Sequence, residues 1–233
     1  MKEMLASLTN IKKNELVMFI LVFLVAIVGM VLSYTNKQFY EHVYVTEDGW
    51  IEYLTFLALL LGSILCWHRA NILKPFRGKF FAFCLTMMGF LFLFGALEEI
   101  SYAQRLIGFE TPEWFKIHNT QGEFNFHNLK FGDFKVNRYI FGTFLGILVV
   151  LYFLVMPFLY VKLEKVKNLV DKFAIPVPKL FHIAAYILLA IIVKFIDSSR
   201  KGEILEFGGC WIFLLMCFGP LNRQLFSRKS FER

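Results

Sequence analysis

The sequence is short of charge for its length. Asp, Glu, Lys and Arg make up 18% of its 233 residues, whereas hydrophobic residues make up 58%. In soluble globular domains about a quarter of the residues are charged. The shortage therefore excludes an ordinary soluble domain, and we interpret the chain as a membrane protein.

Cysteine is scarce, and common catalytic signatures are missing. The four cysteines show no CxxC spacing and lie within apolar runs, at Cys66, Cys84, Cys210 and Cys217. We interpret them as small buried apolar residues, because disulfide frameworks and thiolate metal sites need closely paired cysteines in an aqueous setting. No HExxH, GxSxG or P-loop motif occurs, which argues against a zinc protease, an α/β-type serine hydrolase and a nucleotide-driven pump.

Long apolar runs are what the sequence does contain. A run of about 18 residues or more is long enough to cross a bilayer, and we count six: 17–34, 50–67, 80–97, 139–161, 180–196 and 204–221. The fifth is short, and the sixth contains Glu206. The first lacks a small-residue cleavage pattern, so we expect it to remain as a helix. The sequence thus predicts an all-α polytopic membrane protein whose single domain, 1–233, includes a structured outer segment, 98–138.

The distribution of charge predicts an orientation in the membrane. The formal net charge is +7, and the segments on the side of the N-terminus hold sixteen of the 25 Lys and Arg residues but five of the 18 Asp and Glu residues. Cytoplasmic segments carry such a basic excess, so we expect both termini to be cytoplasmic in a bacterial inner membrane. The excess then faces anionic lipid headgroups, and no nucleic-acid partner is expected.

The stretch FGALEEISYAQRLIGF, residues 94–109, ends an apolar run on two adjacent carboxylates, Glu98 and Glu99. The C-terminal end of a helix is the negative end of its dipole and disfavours carboxylates. Arg105 lies seven residues after Glu98, which places both on one face if the helix continues. We therefore expect Arg105 to compensate at least one of the two carboxylates.

Further acids are predicted at the same level of the membrane. Glu52 and Glu206 lie roughly one turn deeper than the acids that precede the second and sixth runs, and an ionisable side chain within a span is functional by default. Carboxylates gathered at helix ends attract cations, so the sequence predicts an outer cation vestibule lined by Glu52, Glu98, Glu99 and Glu206. Acids at the start of a helix also complement its dipole, and this alternative explains Glu47, Asp48 and Glu203.

The outer segment contains the polar stretch HNTQGEFNFHN, residues 118–128. Its groups suit a hydrogen-bonded network, which we predict from Gln104, Arg105, Asn119, Gln121, Glu123 and Asn128. No cofactor is the first expectation; the alternative is a divalent metal on His118, Glu123 and His127. In an irregular loop such side chains more often satisfy backbone groups. The order Thr, Pro, Glu is typical of a helix start, with Thr as N-cap, and predicts a short helix over 112–118.

The fourth apolar run contains GTFLG, which places Gly142 and Gly146 at the GxxxG spacing. This spacing lets two helices approach closely, so it predicts a contact within the chain or between the subunits of a homo-oligomer. The alternative is that glycine is simply common in membrane helices.

The elements EEISYAQR, ETPEWF and HNTQGEFNFHN resemble those of a group of bacterial polytopic inner-membrane proteins with EEIS, QR and NxQGExNxHN elements and no established activity. The resemblance covers residues 98–128. EEISYAQR is also faintly similar to the EExxxR element of the CAAX-type intramembrane glutamate proteases, in which a carboxylate activates water. That similarity implies catalytic roles for Glu98 and Glu99, although here five residues separate Glu99 from the arginine.

Several functions are compatible with these patterns. The first is an oligomeric ion-conducting or sensing membrane component that uses the vestibule. The second is a membrane-embedded hydrolase or transferase acting on a lipid or peptide, with Glu98 or Glu99 as general base, His127 as acid or metal ligand, and oxyanion donors from Arg105, Asn119 or Asn128. A third is an interaction subunit that binds a protein partner through the outer segment. We favour the first and assign no catalytic residue, because no nucleophile is evident.

Overall fold

The computed structural model describes residues 11–47 and 49–228. Helix accounts for 77% of the structure and strand for 3%, so the predicted all-α class is confirmed. Asp48, residues 1–10 and residues 229–233 lie outside the described residues. What the sequence predicts for Asp48 and for the two termini therefore stays a prediction.

The main helices of the described part are numbered in chain order. They are α1 (Lys13–Thr35), α2 (Trp50–Arg77), α3 (Lys79–Glu99), α4 (Glu113–His118), α5 (Asn137–Lys162), α6 (Glu164–Lys172), α7 (Leu180–Lys194) and α8 (Lys201–Phe218). Helix α5 is not uniform, because two of its segments have the wider π-helical turn, namely Asn137–Phe144 and Leu151–Val155.

Short elements connect these helices. Single helical turns occur at Lys37–Phe39, Tyr40–Tyr44 (π-helical), Ser101–Ala103 (3-10), Gln104–Ile107 and Arg223–Phe226 (3-10). A small antiparallel hairpin precedes α5 and consists of β1 (Lys130–Phe131) and β2 (Phe134–Lys135).

Four described helices are long and apolar enough to cross a membrane: α1, α2, α3 and α5. They contain the first four predicted apolar runs. The fifth and sixth runs coincide with α7, which has 15 residues, and with α8, which has 18 residues and carries Glu203 and Glu206. The sequence therefore locates the helices well, whereas the structure supports four membrane spans by length and composition.

Helix α1 shows how little of each long helix is buried. Its buried positions recur every three or four residues and form one narrow stripe: Glu15, Phe19, Val22, Ala26, Gly29 and Ser33. The remaining faces expose large apolar side chains such as Ile20, Leu24 and Val31. An amphipathic helix of a soluble protein exposes polar residues there, so these faces are suited to lipid.

Helix α8 packs against α1, α2 and α7, and it contacts α7 at a glycine. A Cβ atom at Gly208 would lie 2.5 Å from Leu189 Cδ2, and Leu189 is fully buried. Helices α2 and α3 form a tight hairpin in which a Cβ atom at Gly89 would lie 2.5 Å from Trp67 Nε1. Glycine thus sets the close helix contacts within the described chain.

The predicted GxxxG glycines are not among these contacts. No residue of the segments Asn137–Phe144 and Leu145–Val150 is buried. A Cβ atom at Gly146 would meet nothing within 4 Å, and one at Gly142 would meet only Asn137 O of the same helix. Within the described chain Gly142 and Gly146 therefore make no helix–helix contact, and a contact between subunits stays a prediction.

Candidate functional site

The apolar helix α3 ends at Glu99, directly at the two carboxylates. The next turn has three consecutive non-glycine residues in the left-handed region, with φ of 46° at Ser101, 55° at Tyr102 and 61° at Ala103. This conformation costs about 1–2 kcal/mol per residue and persists where surrounding contacts impose it. The helix does not continue to Arg105, so the premise that placed Arg105 on the face of Glu98 is wrong.

Glu98 is buried at 3% exposure and is held by the outer segment. Its Oε2 accepts hydrogen bonds from the backbone N–H groups of Phe126 and His127, both at 2.8 Å, and contacts His127 Nδ1 at 3.2 Å. These amides supply the positive environment that the end of α3 lacks. Burial and the neighbouring Glu98 carboxylate raise the pKa of Tyr102, so this phenol stays protonated beside it.

Arg105 forms an ion pair with a different acid from the one expected. Its Nη2 lies 2.5 Å from Glu123 Oε1, and Glu123 Oε2 accepts a hydrogen bond from Ser101 Oγ at 2.8 Å. Arg105 therefore holds the polar stretch 118–128 next to the left-handed turn. Backbone amides, and not Arg105, compensate the charge of Glu98.

Two buried asparagines form the centre of the outer segment. Asn119 Nδ2 donates to Asn125 Oδ1 at 2.8 Å, and Asn119 Oδ1 accepts from the N–H of Gln121 at 2.8 Å. Asn125 Nδ2 donates to Ser101 Oγ at 3.0 Å. Asn125 is 1% exposed and is missing from the predicted network; its place inside the NxQGExNxHN element was the available signal.

The other predicted network residues extend these contacts. Asn128 Nδ2 donates to Gln121 Oε1 and lies 3.0 Å from His127 Nε2. Gln121 Nε2 donates to Glu47 Oε1 at 2.9 Å, and Arg200 Nη2 pairs with the same oxygen at 3.3 Å. The network thus joins the outer segment to the residues preceding α2 and α8.

Gln104 links two other parts of the outer segment. Its Nε2 donates to Thr111 Oγ1 at 2.5 Å, and its Oε1 accepts from the N–H of Phe124 at 2.8 Å. The short helix α4 begins at Glu113 with Pro112 as its N-cap, one residue later than predicted. Thr111 is therefore not the N-cap.

The residues considered for metal binding have other partners. His118 Nδ1 lies 2.8 Å from Trp114 O, and its ring stacks on Trp114 with centroids 4.6 Å apart. Glu123 pairs with Arg105, and His127 contacts Glu98. Within residues 11–47 and 49–228, no group of three or more His, Cys, Asp and Glu side chains is arranged to hold a metal ion.

A second group of acids gathers where α2, α3 and α8 meet. The carboxyl group of Glu99 lies within hydrogen-bonding reach of that of Glu206, and Glu52 and Glu203 are near enough to act on it electrostatically. We call Glu52, Glu99, Glu203 and Glu206 the carboxyl cluster. Glu203 was assigned a dipole role, although its spacing of three from Glu206 places both on one helix face.

The structure therefore divides the predicted vestibule in two. Glu52, Glu99 and Glu206 come together, whereas Glu98 is held by the outer segment. The two parts adjoin, because His127 lies close enough to Glu203 to interact with it electrostatically. The division follows from helix geometry, because adjacent residues are about 100° apart around an α-helix and Glu98 and Glu99 therefore face different sides of α3.

Comparison with known proteins does not extend this description. No family model, curated protein or solved structure matches the chain. The resemblance over residues 98–128 stays a prediction, and the function must be argued from the geometry of the site.

Proposed function

We propose that the protein is an integral membrane component whose carboxyl cluster takes up protons and attracts hydrated cations without ligating them directly, and that it uses this site for ion conduction or sensing. The proposal places the cluster on the outer side of a bacterial inner membrane, as the distribution of Lys and Arg predicts.

The contact between the carboxyl groups of Glu99 and Glu206 carries the proposal. Two carboxylates at hydrogen-bonding distance repel each other unless they share a proton or a cation lies between them. Glu52 and Glu203 add negative charge around the same pair. The cluster therefore favours an occupied state over a fully ionised empty one.

The proposal includes α7 and α8 as the fifth and sixth spans. Lys179 and Lys194 flank α7, and long basic side chains of this kind reach the interface from the end of a short span. In α8, Glu203 is partly buried and Glu206 is exposed beside Glu99, so the proposal requires the exposed side of the carboxyl cluster to open to water rather than to lipid. Both apolar helices are then accommodated in the bilayer.

The proposal also includes a homo-oligomer. The first half of α5 has no buried residue, and its apolar side chains Phe144, Ile147 and Val150 are exposed. Gly142 and Gly146 leave open space on the same helix. A second subunit packed there would bury this surface, and several subunits would provide the helices needed to line a conducting path.

The test is ion flux and cation binding by the purified full chain. In liposomes, Glu99→Gln and Glu206→Gln are expected to lower cation flux about tenfold or more, because each variant removes half of the proton-sharing pair. In detergent, the same variants should lose the rise in melting temperature that mono- and divalent cations give the wild type. Mass measurement of the same preparation reports the number of subunits.

The matched control is Glu110→Gln, which removes one acid from an exposed position of the outer segment. It should keep flux and cation response within about twofold of the wild type, since exposed charges are screened. A wild-type protein with neither flux nor a cation-dependent melting temperature contradicts the proposal, and so does an equal loss in Glu110→Gln.

The hydrolase reading has one observation in its favour, the hydrogen bond between Glu98 and His127 beside a strained turn. A carboxylate that orients an imidazole is a common part of acid–base sites. The proposed oxyanion donors, however, are already engaged: Arg105 with Glu123, Asn119 with Asn125, and Asn128 with Gln121. We therefore place this function second; hydrolysis of a lipid or peptide that His127→Ala abolishes would reverse the order.

A further inference from the structure

A groove of about 530 Å³ runs along the surface of the α2–α3 hairpin near its turn. Asn71, Lys74 and Lys79 line its end at the turn, and Trp67, Ala82 and Phe83 line the part nearer the middle of the helices. The groove is thus polar and basic at one end and apolar along its length.

The apolar part of the groove has a fixed wall. Trp67 Nε1 donates to Thr86 O at 3.3 Å, and the Trp67 ring packs over Gly89, where a Cβ atom would lie 2.5 Å from Nε1. The indole ring bridges α2 and α3 about three turns away from the hairpin turn and is fixed on both helices. The groove is therefore built into the hairpin rather than formed by a mobile side chain.

The lysines at the basic end of the groove carry positive charge that no described acidic side chain neutralises. Lys74 and Lys79 are exposed, and neither ammonium group has an acidic partner among the described residues. The two nearby arginines are engaged elsewhere: Arg69 donates to Cys217 O at 2.6 Å, and Arg77 donates to Gln224 O at 3.2 Å. No acidic residue lines the groove.

We propose that this groove binds one anionic phospholipid, with the phosphate between Lys74 and Lys79 and an acyl chain against Trp67, Ala82 and Phe83. Charge complementarity selects the headgroup, because two unpaired lysines face a site without acids. The position of the groove selects a lipid over a free anion, since its apolar part lies on the lipid-facing surface of two spans.

Native mass spectrometry of the detergent-solubilised full chain tests the headgroup. Bound phosphatidylglycerol should exceed bound phosphatidylcholine, and the double variant K74Q/K79Q should bind phosphatidylglycerol at least about tenfold more weakly, because it removes both positive charges that face the phosphate. The matched control K162Q/K165Q removes the same charge from exposed positions outside the groove and should change binding less than twofold.

Quenching of tryptophan fluorescence tests separately whether an acyl chain lies beside Trp67. Phosphatidylglycerol with brominated acyl chains should quench the full chain more strongly than brominated phosphatidylcholine, and Trp67→Phe should remove that difference. Melting temperatures in phosphatidylcholine show whether the variants are folded. Equal binding of both lipids, equal loss in K162Q/K165Q, or quenching unchanged in Trp67→Phe would overturn the proposal, and none of these outcomes bears on the carboxyl cluster.

Discussion

At the scale of single residues, Glu98 is the anchor of the outer segment. It is a buried carboxylate whose Oε2 accepts two backbone N–H groups at 2.8 Å. Hydrogen bonds to a charged acceptor are the strong ones, and a buried donor that loses its acceptor costs about 1–3 kcal/mol. The segment after α3 therefore depends on this side chain for its fold as well as for its position.

Glu98→Ala tests this dependence. The substitution leaves the N–H groups of Phe126 and His127 without their acceptor, so we expect a loss of roughly 2–4 kcal/mol in unfolding free energy and faster proteolysis of residues 101–137. Thermal unfolding and limited proteolysis in detergent measure both effects. Glu110→Ala is the exposed control; an equally large effect there would show that loss of any outer acid destabilises the chain.

The sequence predicted the residues of the site better than their pairing. Glu98, Arg105 and the polar stretch are in contact at the end of α3, whereas Glu99 lies in the carboxyl cluster. The partner of Arg105 was not predictable, because Ser, Tyr and Ala give no signal for three consecutive positive φ angles. Once the chain turns there, helical spacing no longer relates Arg105 to Glu98.

At the scale of elements, the contacts between helices depend on glycines that the sequence does not single out. Long apolar runs locate the helices, because membrane helices need that length and composition. Which glycine forms a helix contact depends on the side chain that faces it from the other helix, such as Leu189 opposite Gly208. The tertiary structure sets this pairing, and the sequence does not show it. GxxxG spacing pointed instead to Gly142 and Gly146, which lie on an uncovered helix.

Gly208→Ala should destabilise the protein by about 1–3 kcal/mol, because the added methyl group overlaps a fully buried leucine at the α7–α8 contact. Gly146→Ala adds the same methyl group where nothing lies within 4 Å, so it should leave the monomer unchanged or slightly stabilised by better helix propensity. Thermal unfolding of the two variants in detergent is the measurement; equal shifts would argue against the close α7–α8 contact.

At the scale of the whole molecule, the exposed surface is what indicates a membrane environment. Large apolar side chains are exposed along each long helix, including Leu24, Ile64, Leu91 and Phe144. Soluble monomers rarely expose contiguous apolar patches of this kind. The exposure is compatible with lipid contact along α1, α2, α3 and α5, the described helices that are long and apolar enough to cross a membrane.

The orientation of the molecule is predicted from charge and is open to a direct test. Reporter fusions after residue 75 and at the C-terminus should be active in the cytoplasm, and a fusion near residue 121 should be active outside, because Lys and Arg concentrate on the first side. A fusion at residue 75 that is active outside would invert the map. The carboxyl cluster would then face the cytoplasm, and the lipid groove the opposite leaflet.

The hairpin turn at Gly78 has a mechanical consequence. A single residue, with φ of 85°, separates the end of α2 from the start of α3. So short a connection holds the adjoining ends of α2 and α3 together, so we expect the pair to tilt as a single body against its neighbour α8. Membrane helices tilt when the bilayer becomes thinner. We therefore expect Glu52 and Glu99 to move together as α2 and α3 tilt in a stretched membrane. Their distances from α8 change, whereas the distance between the two residues does not.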